Sequence, residues 1–173
     1  MAVKLWDVVI AGAGPAGLSA ALVLGRARRK VLLCDTGTPR SWASKEMHGF
    51  LTRDGTPPAE FRRLAHDELA RYPGVEFRAV EVTAATRNGD GHFSVTLGKR
   101  RRVRSRKLLI ATGVFDHLPE LEGIEQFFGT SVFQCPYCDG WEMRDAPIAV
   151  YGKRRRGFEM ARAMTAWSDD IVL

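Results

Sequence analysis

Cys135 and Cys138 stand three residues apart, with Asp139 directly after them: a dithiol with a carboxyl group at its side. Near the start of the chain, Gly12, Gly14 and Gly17 fall at the Gly-x-Gly-x-x-Gly spacing that cradles a dinucleotide phosphate. A dithiol that cycles through a disulfide must exchange electrons with something, and a flavin nucleotide is the usual partner. The two motifs in one chain predict a flavin-linked thiol/disulfide oxidoreductase.

The glycine motif is informative because of its setting. It follows the apolar run Val8-Val9-Ile10-Ala11 and opens a helix at Pro15 and Ala16, and an acidic residue, Asp35, ends the next apolar run. Each glycine has a separate reason to be there. Gly12 permits the tight turn, Gly14 leaves room for a pyrophosphate, and Gly17 lets helix and strand approach closely. The helix N-terminus adds free N–H groups and the positive end of the dipole. Asp35 is placed to accept hydrogen bonds from ribose hydroxyls.

The dithiol has three readings. Structural zinc needs two further ligands, and only Cys34 and four scattered histidines remain to supply them. No metal site is expected. A glutaredoxin-like site uses the same Cys-Pro-Tyr-Cys wording, but carries no nucleotide loop upstream. A flavin-coupled dithiol uses both motifs. Its chemistry asks for an attacking thiolate, a resolving thiol and a proton source. A cysteine at a helix start has its pKa lowered by the dipole. Asp139 is either the proton source for a leaving thiolate or a helix cap, and the two roles are compatible.

The elements that must position these residues follow from periodicity. A buried strand at 7–11, a helix through Leu18, Ala21, Leu22 and Gly25, and a buried strand at 31–35 make a βαβ opening. Residues 36–56 read as a loop. Pro57-Pro58 opens a helix whose apolar positions are Phe61, Leu64, Ala65, Leu69 and Tyr72. Residues 75–82 and 92–97 read as strands joined by the turn at 88–91, and a third strand runs from about Val103 to Ala111. After a connector come a strand at 147–151, a helix at 158–167 and the start of a strand at 171–173, a weak echo of the βαβ opening.

Bulk properties narrow the class. With 173 residues, 45% hydrophobic, the chain can build one core, or one domain and part of another. Three cysteines are too few for a disulfide scaffold, and a Cys-x-x-Cys suits a reducing compartment. The apolar run at 11–24 has glycines at phosphate-loop spacing and Asp7 just before it, unlike a secretory signal. No stretch is apolar for long enough to cross a membrane, so a cytoplasmic protein is expected. The net charge of +6, with seven basic residues at 99–107, reads as a solvated surface and a protected sheet edge rather than a nucleic-acid site.

In combination, Gly12-Ala13-Gly14-Pro15-Ala16-Gly17, Asp35, Ala111-Thr112-Gly113 and Cys135-Pro136-Tyr137-Cys138-Asp139-Gly140-Trp141-Glu142 resemble the low-molecular-weight thioredoxin reductases, within the wider FAD/NAD(P)-dependent disulfide oxidoreductases. Asp35-Thr36-Gly37-Thr38-Pro39-Arg40 and His48-Gly49-Phe50-Leu51-Thr52-Arg53-Asp54-Gly55 are similar to the subgroup that acts on small-molecule dithiols. The resemblance implies an α/β chain: a Rossmann-like FAD-binding half-domain over 1–115, with parallel sheet and β-meander, a connector at 116–130, and the first part of a Rossmann-like NAD(P)-binding domain over 131–173.

The resemblance also implies roles. Gly12, Gly14, Pro15, Ala16, Gly17, Asp35, Val82, Ala111, Thr112 and Gly113 would bind FAD. Cys138 would face the flavin, Cys135 would attack the substrate disulfide, and Asp139 would serve as acid/base. NADP or NAD would supply electrons, and the substrate would be a thioredoxin-like protein or a small-molecule disulfide or dithiol. A homodimer fits the family. Two departures stand out. The second loop, Gly152-Lys153-Arg154-Arg155-Arg156-Gly157, has arginine where the family has its middle glycine. The match also covers about half of a family member, lacking the rest of the nicotinamide domain and the returning FAD segment. An unrelated possibility is a non-catalytic nucleotide-binding remnant or interaction module.

Overall fold

The computed structural model describes residues 4–173. They pack as two compact units, one from residues 4–42 and Pro58–His117, the other from Ala43–Pro57 and Leu118–Leu173.

The first unit is a six-stranded sheet with strand order β3-β2-β1-β6-β5-β4. Its elements are β1 (Leu5–Ala11), α1 (Pro15–Arg26), β2 (Val31–Asp35), α2 (Pro58–Leu69), β3 (Val75–Ala79), β4 (Val82–Arg87), β5 (Phe93–Leu97) and β6 (Arg101–Ile110). β3, β2, β1 and β6 run parallel, while β5 and β4 continue antiparallel as a meander. This is the α/β architecture expected.

Strands β1 and β2 are covered on both faces, which is why they are continuous apolar runs rather than alternating ones. From Val8 onward in β1, and along β2, successive side chains point to opposite faces. Trp6, Val9, Leu32 and Cys34 join Val95, Leu97 and Val103 in one buried cluster. Ile10, Val31 and Leu33 join Leu18, Ala21 and Leu69 in the other, beneath α1 and α2. Helix α1 begins with proline at its first position and ends where Arg28 turns into the left-handed region, with φ of 57°.

Residues 75–82 are not one strand. The chain breaks at Val80–Glu81, so β3 extends the parallel sheet while the separate strand β4 forms the hairpin with β5 through the turn at 88–91. The apolar pattern runs through the break because Val80 and Val82 both pack against the Trp6 cluster. Alternation alone does not register the change of partner.

The second unit contains α3 (Ile124–Phe127), α4 (Pro136–Asp139), β7 (Ile148–Ala149), α5 (Arg154–Met164) and β8 (Ile171–Val172). β7 and β8 pair in parallel across α5, a second βαβ turn. Helix α5 starts at Arg154, four residues before the first apolar residue of its pattern, because the basic residues at 154–156 fill its exposed first turn. Among the described residues, no helix is long and apolar enough to cross a membrane.

Trp6 is 2% exposed and is the largest fully buried side chain. Trp6→Ala is expected to cost about 3–5 kcal/mol. The check is the urea midpoint with an unchanged slope; a loss under about 1 kcal/mol would mean the cluster collapses around the vacancy.

Candidate functional site

In the first unit, the turn from β1 to α1 brings backbone against backbone. Gly12 has φ of 103°, a conformation that favours glycine, and a Cβ there would collide with the Ala111 carbonyl. A Cβ on Gly17 would strike the Gly12 carbonyl oxygen. Gly14 is different: nothing lies within 4 Å of where its Cβ would be. Gly14 caps α1, and no side chain hydrogen-bonds to that end, so the exposed positions Pro15 and Ala16 open onto uncapped helix N–H groups. The loop thus has a tight turn, an open cradle and a donor-rich helix end, which fits a dinucleotide pyrophosphate.

Ala111, Thr112 and Gly113 meet this loop. The Ala111 N–H donates to the Ala11 carbonyl at 2.8 Å, and Thr112 Cα lies 3.1 Å from the Gly12 Cβ position. Gly113 has φ of 68°, and Thr112 and Gly113 are exposed. Val82 opens β4, and its half-buried side chain packs against the Trp6 cluster.

Asp35 ties the loop to its surroundings. Its Oδ1 accepts from the Ala13 N–H at 3.0 Å, and its Oδ2 accepts from the Gly37 N–H at 3.0 Å and from Arg62 at 2.8 Å. Burial pushes this carboxyl up, but the hydrogen bonds from Ala13, Arg62 and Gly37 outweigh burial and hold it below the ordinary value. A carboxylate has about four lone-pair sites. Three are engaged here, leaving one for a ribose hydroxyl.

Arg62 is a site residue that the sequence reading passed over. It lies on α2 in register with Ala65 and Leu69, positions that face the core. An arginine on an apolar stripe was the available signal, since such a group is buried only against a partner.

The second loop keeps the close approach of the first. A Cβ on Gly157 would come within 2.8 Å of the Gly152 carbonyl carbon and oxygen. The middle position differs. Arg154 has φ of 55°, in the left-handed region that glycine enters freely and arginine does not. A side chain stands where the first loop has open space. These residues do not fit a pyrophosphate held as in the first loop.

In the second unit, Cys135 and Cys138 are joined in a disulfide. Cys135 caps α4 and is half-buried, while Cys138 is exposed. Asp139 ends α4, so it is not an N-cap: Cys135 holds that position, because Pro136 takes the first helical place. Gly140 is buried, and a Cβ there would strike the Pro136 carbonyl oxygen and lie 2.9 Å from the Trp167 ring.

Asp139 borders a cavity of about 270 Å³, which it shares with Lys45, Glu46, His48, Glu142 and Phe133. Burial pushes its carboxyl above the ordinary value, the Glu142 charge adds to that, and His48 opposes it. A carboxyl that keeps its proton to higher pH is available as a proton donor over a wider range. Cys34 is set apart. It is buried in β2, and burial pushes its thiol up to about 11, against a smaller opposing effect from Arg78. A thiol so held is inert packing.

Asp35→Asn removes a carboxylate whose folded-state pKa is depressed. The stability it contributes is therefore present above the unfolded value of about 3.9 and is lost as pH falls through the lower folded value. The variant is expected to be about 1–3 kcal/mol less stable at neutral pH. Urea unfolding across the acid range should show the gap to the native chain closing as pH drops; a gap independent of pH would rule out the ionised carboxylate as its source.

Comparison with known proteins places the whole arrangement. The family model described as pyridine nucleotide-disulphide oxidoreductase matches residues 6–173. A protein of Arthroderma benhamiae named "Probable thioredoxin reductase" is 36% identical over 172 residues, covering 96% of this chain and 43% of that protein. The crystal structure of HlmI superposes with a TM-score of 0.93 at 40% identity, over 97% of this chain and 54% of that one. An oxidoreductase from Agrobacterium tumefaciens gives a TM-score of 0.90 at 38% identity, over 96% and 56%. The chain spans about half the length of the curated relatives it matches. With fold, glycine loop and matched length in agreement, the chain belongs to the pyridine nucleotide-disulphide oxidoreductase family, among its thioredoxin reductase-like members.

Proposed function

We propose that the chain carries the flavin and dithiol parts of an FAD-dependent thiol/disulfide oxidoreductase. The observation behind this reading is the Cys135–Cys138 disulfide, with Cys138 exposed and Asp139 at its side, in a chain whose first glycine loop is open at Gly14. The first loop, Asp35 and the Ala111-Thr112-Gly113 turn would hold FAD, with Val82 as a further contact. Bound there, FAD supplies a two-electron partner for the dithiol.

The chain's own residues do the thiol chemistry. Toward a substrate disulfide, the Cys135 thiolate attacks one sulfur, and the substrate's other sulfur leaves with the bonding pair. Cys138 then attacks Cys135 Sγ, closing the protein disulfide and releasing the second substrate sulfur. Asp139 supplies a proton to a departing thiolate. The reverse sequence oxidises a dithiol. The substrate class is a thioredoxin-like protein or a small-molecule disulfide. Family membership implies pyridine nucleotide use, but no step is assigned through the second loop, where Arg154 stands in place of the middle glycine. A reducing compartment such as the cytoplasm suits the dithiol.

Saturating FAD is expected to raise the melting temperature of the protein. Gly14→Ala should fold with a loss of at most about 1 kcal/mol, because the space is open, and bind FAD at least about tenfold more weakly. An unmoved melting curve with FAD, in a chain that remains colourless, would leave a nucleotide-free remnant as the reading. With FAD bound, dithiothreitol should bleach the flavin band. Cys138→Ser should keep the FAD and lose the rapid bleaching; bleaching at the native rate in that variant would overturn the role of the pair.

A further inference from the structure

Two exposed arms leave the sheet on either side of the phosphate loop. β2 and β6 both run parallel to β1 and flank it, with Cys34, Ala11 and Ile110 level in register. β1 continues as the Gly12-Ala13-Gly14 turn, while the chain beyond β2 passes Gly37 and the chain beyond β6 passes Gly113. Both glycines hold a positive φ, 83° and 68°, with open space around the Cβ position. Three residues after each comes a charged side chain, Arg40 on one arm and Asp116 on the other. These two meet: Arg40 Nε donates to Asp116 Oδ2 at 2.6 Å, and Arg40 Nη2 donates to Asp116 Oδ1 at 2.8 Å. The ion pair thus joins segments that start about 10 Å apart, two strand spacings, with the end of β1 between them.

Resting on the flavin reading above, we propose that Arg40 and Asp116 are positioning residues that clasp the two arms around bound FAD and slow its release. Asp35 roots the first arm. Its Oδ2 accepts from the Gly37 N–H at 3.0 Å, so the arm is tied to the carboxylate assigned to the ribose. Ala111-Thr112-Gly113 root the second arm. A dinucleotide that touches both roots lies across the end of β1, between the arms. Arg40 and Asp116 need not touch it to hold it there.

None of residues 36–42 or 112–117 is buried, so little packing opposes separation of the arms. A bidentate arginine–carboxylate pair fixes direction as well as distance, which suits it to join two such segments. The clasp is also open to solvent, with the Arg40 and Asp116 side chains 46% and 24% exposed. Release needs no covalent change: the pair exchanges its hydrogen bonds for water, the arms part about Gly37 and Gly113, and FAD departs. A pair this exposed contributes modestly and is weakened by salt, so its loss corresponds to a rate change of about threefold.

The experiment loads the full 173-residue chain with FAD, dilutes it, and measures free flavin at intervals after ultrafiltration. Arg40→Gln, Asp116→Asn and the double variant are each expected to release FAD about threefold faster than the native chain at about 0.1 M salt, the double no faster than either single. Exchanging the charges, Arg40→Asp with Asp116→Arg, should bring the rate back toward the native one. At about 1 M salt the native chain should release FAD nearly as fast as the variants. Urea midpoints without FAD should stay near the native one. Native release rates in the single variants overturn the clasp and leave the flavin reading standing. Rates that multiply in the double variant, or an exchanged pair that stays fast, also overturn it, because the two side chains would then act separately. A fall in the FAD-free urea midpoint large enough to account for faster release assigns the effect to the fold instead. A native chain that takes up no FAD removes the flavin reading, and the clasp with it.

Discussion

The contact on which the first unit depends is one of backbone with backbone, where β1 turns into α1. Gly17 has to pass the Gly12 carbonyl, and Gly12 has to pass the Ala111 carbonyl, with no side chain between them. Three consequences follow from these two approaches. The helix N-terminus points along the end of the sheet, β6 ends beside the loop, and the Ala111-Thr112-Gly113 turn is delivered to the same place. A methyl group at Gly17 would push the helix off the turn, and one at Gly12 would push the turn off Ala111. The loss would be larger than a void of that size suggests, because main chain cannot rotate aside as a flexible side chain can.

Much of this was legible in the sequence because the residues involved are constrained locally. A glycine at each of three fixed positions after an apolar run leaves few conformations, and β2 ends on Asp35 as its pattern requires. The strand break at Val80–Glu81 was hidden for the opposite reason. Val80 and Val82 both pack inward, so hydrophobicity continues while the pairing partner changes. The start of α5 was hidden by charge: its first turn is wholly basic, and a helix with no apolar residue there has no period to read. The place of Arg62 on an apolar stripe is a sequence signal, but its partner, like that of His48, is distant in the chain and is not. Arg62 meets a carboxylate on β2, and His48 meets Glu142 at the far side of the dithiol.

The two glycine loops show which parts of a motif are structural and which are not. Outer glycines remain in both, since each allows a strand and helix to touch. The middle position has no packing duty: at Gly14 the space beyond Cβ is empty. A pyrophosphate bound as proposed above would give that position a reason to be glycine. Arg154 costs about 1–3 kcal/mol in backbone strain at its positive φ, yet the βαβ turn around it closes, with β7 and β8 in register. The fold therefore survives loss of the middle glycine, and the pyrophosphate opening does not.

The same separation of duties runs through the dithiol segment. Gly140 and Trp167 anchor α4 by packing, which fixes where Cys135 and Cys138 sit but says nothing about reactivity. In the proposed function, reactivity would depend on charge. Asp139 is pushed toward its neutral form by burial and by Glu142, and pulled back by His48. Cys34 shows burial outweighing the opposing charge of Arg78, which leaves a thiol pushed up to about 11. In the thiol chemistry proposed above, an acid at Asp139 would need to keep its proton until a thiolate departs, and burial favours that neutral form.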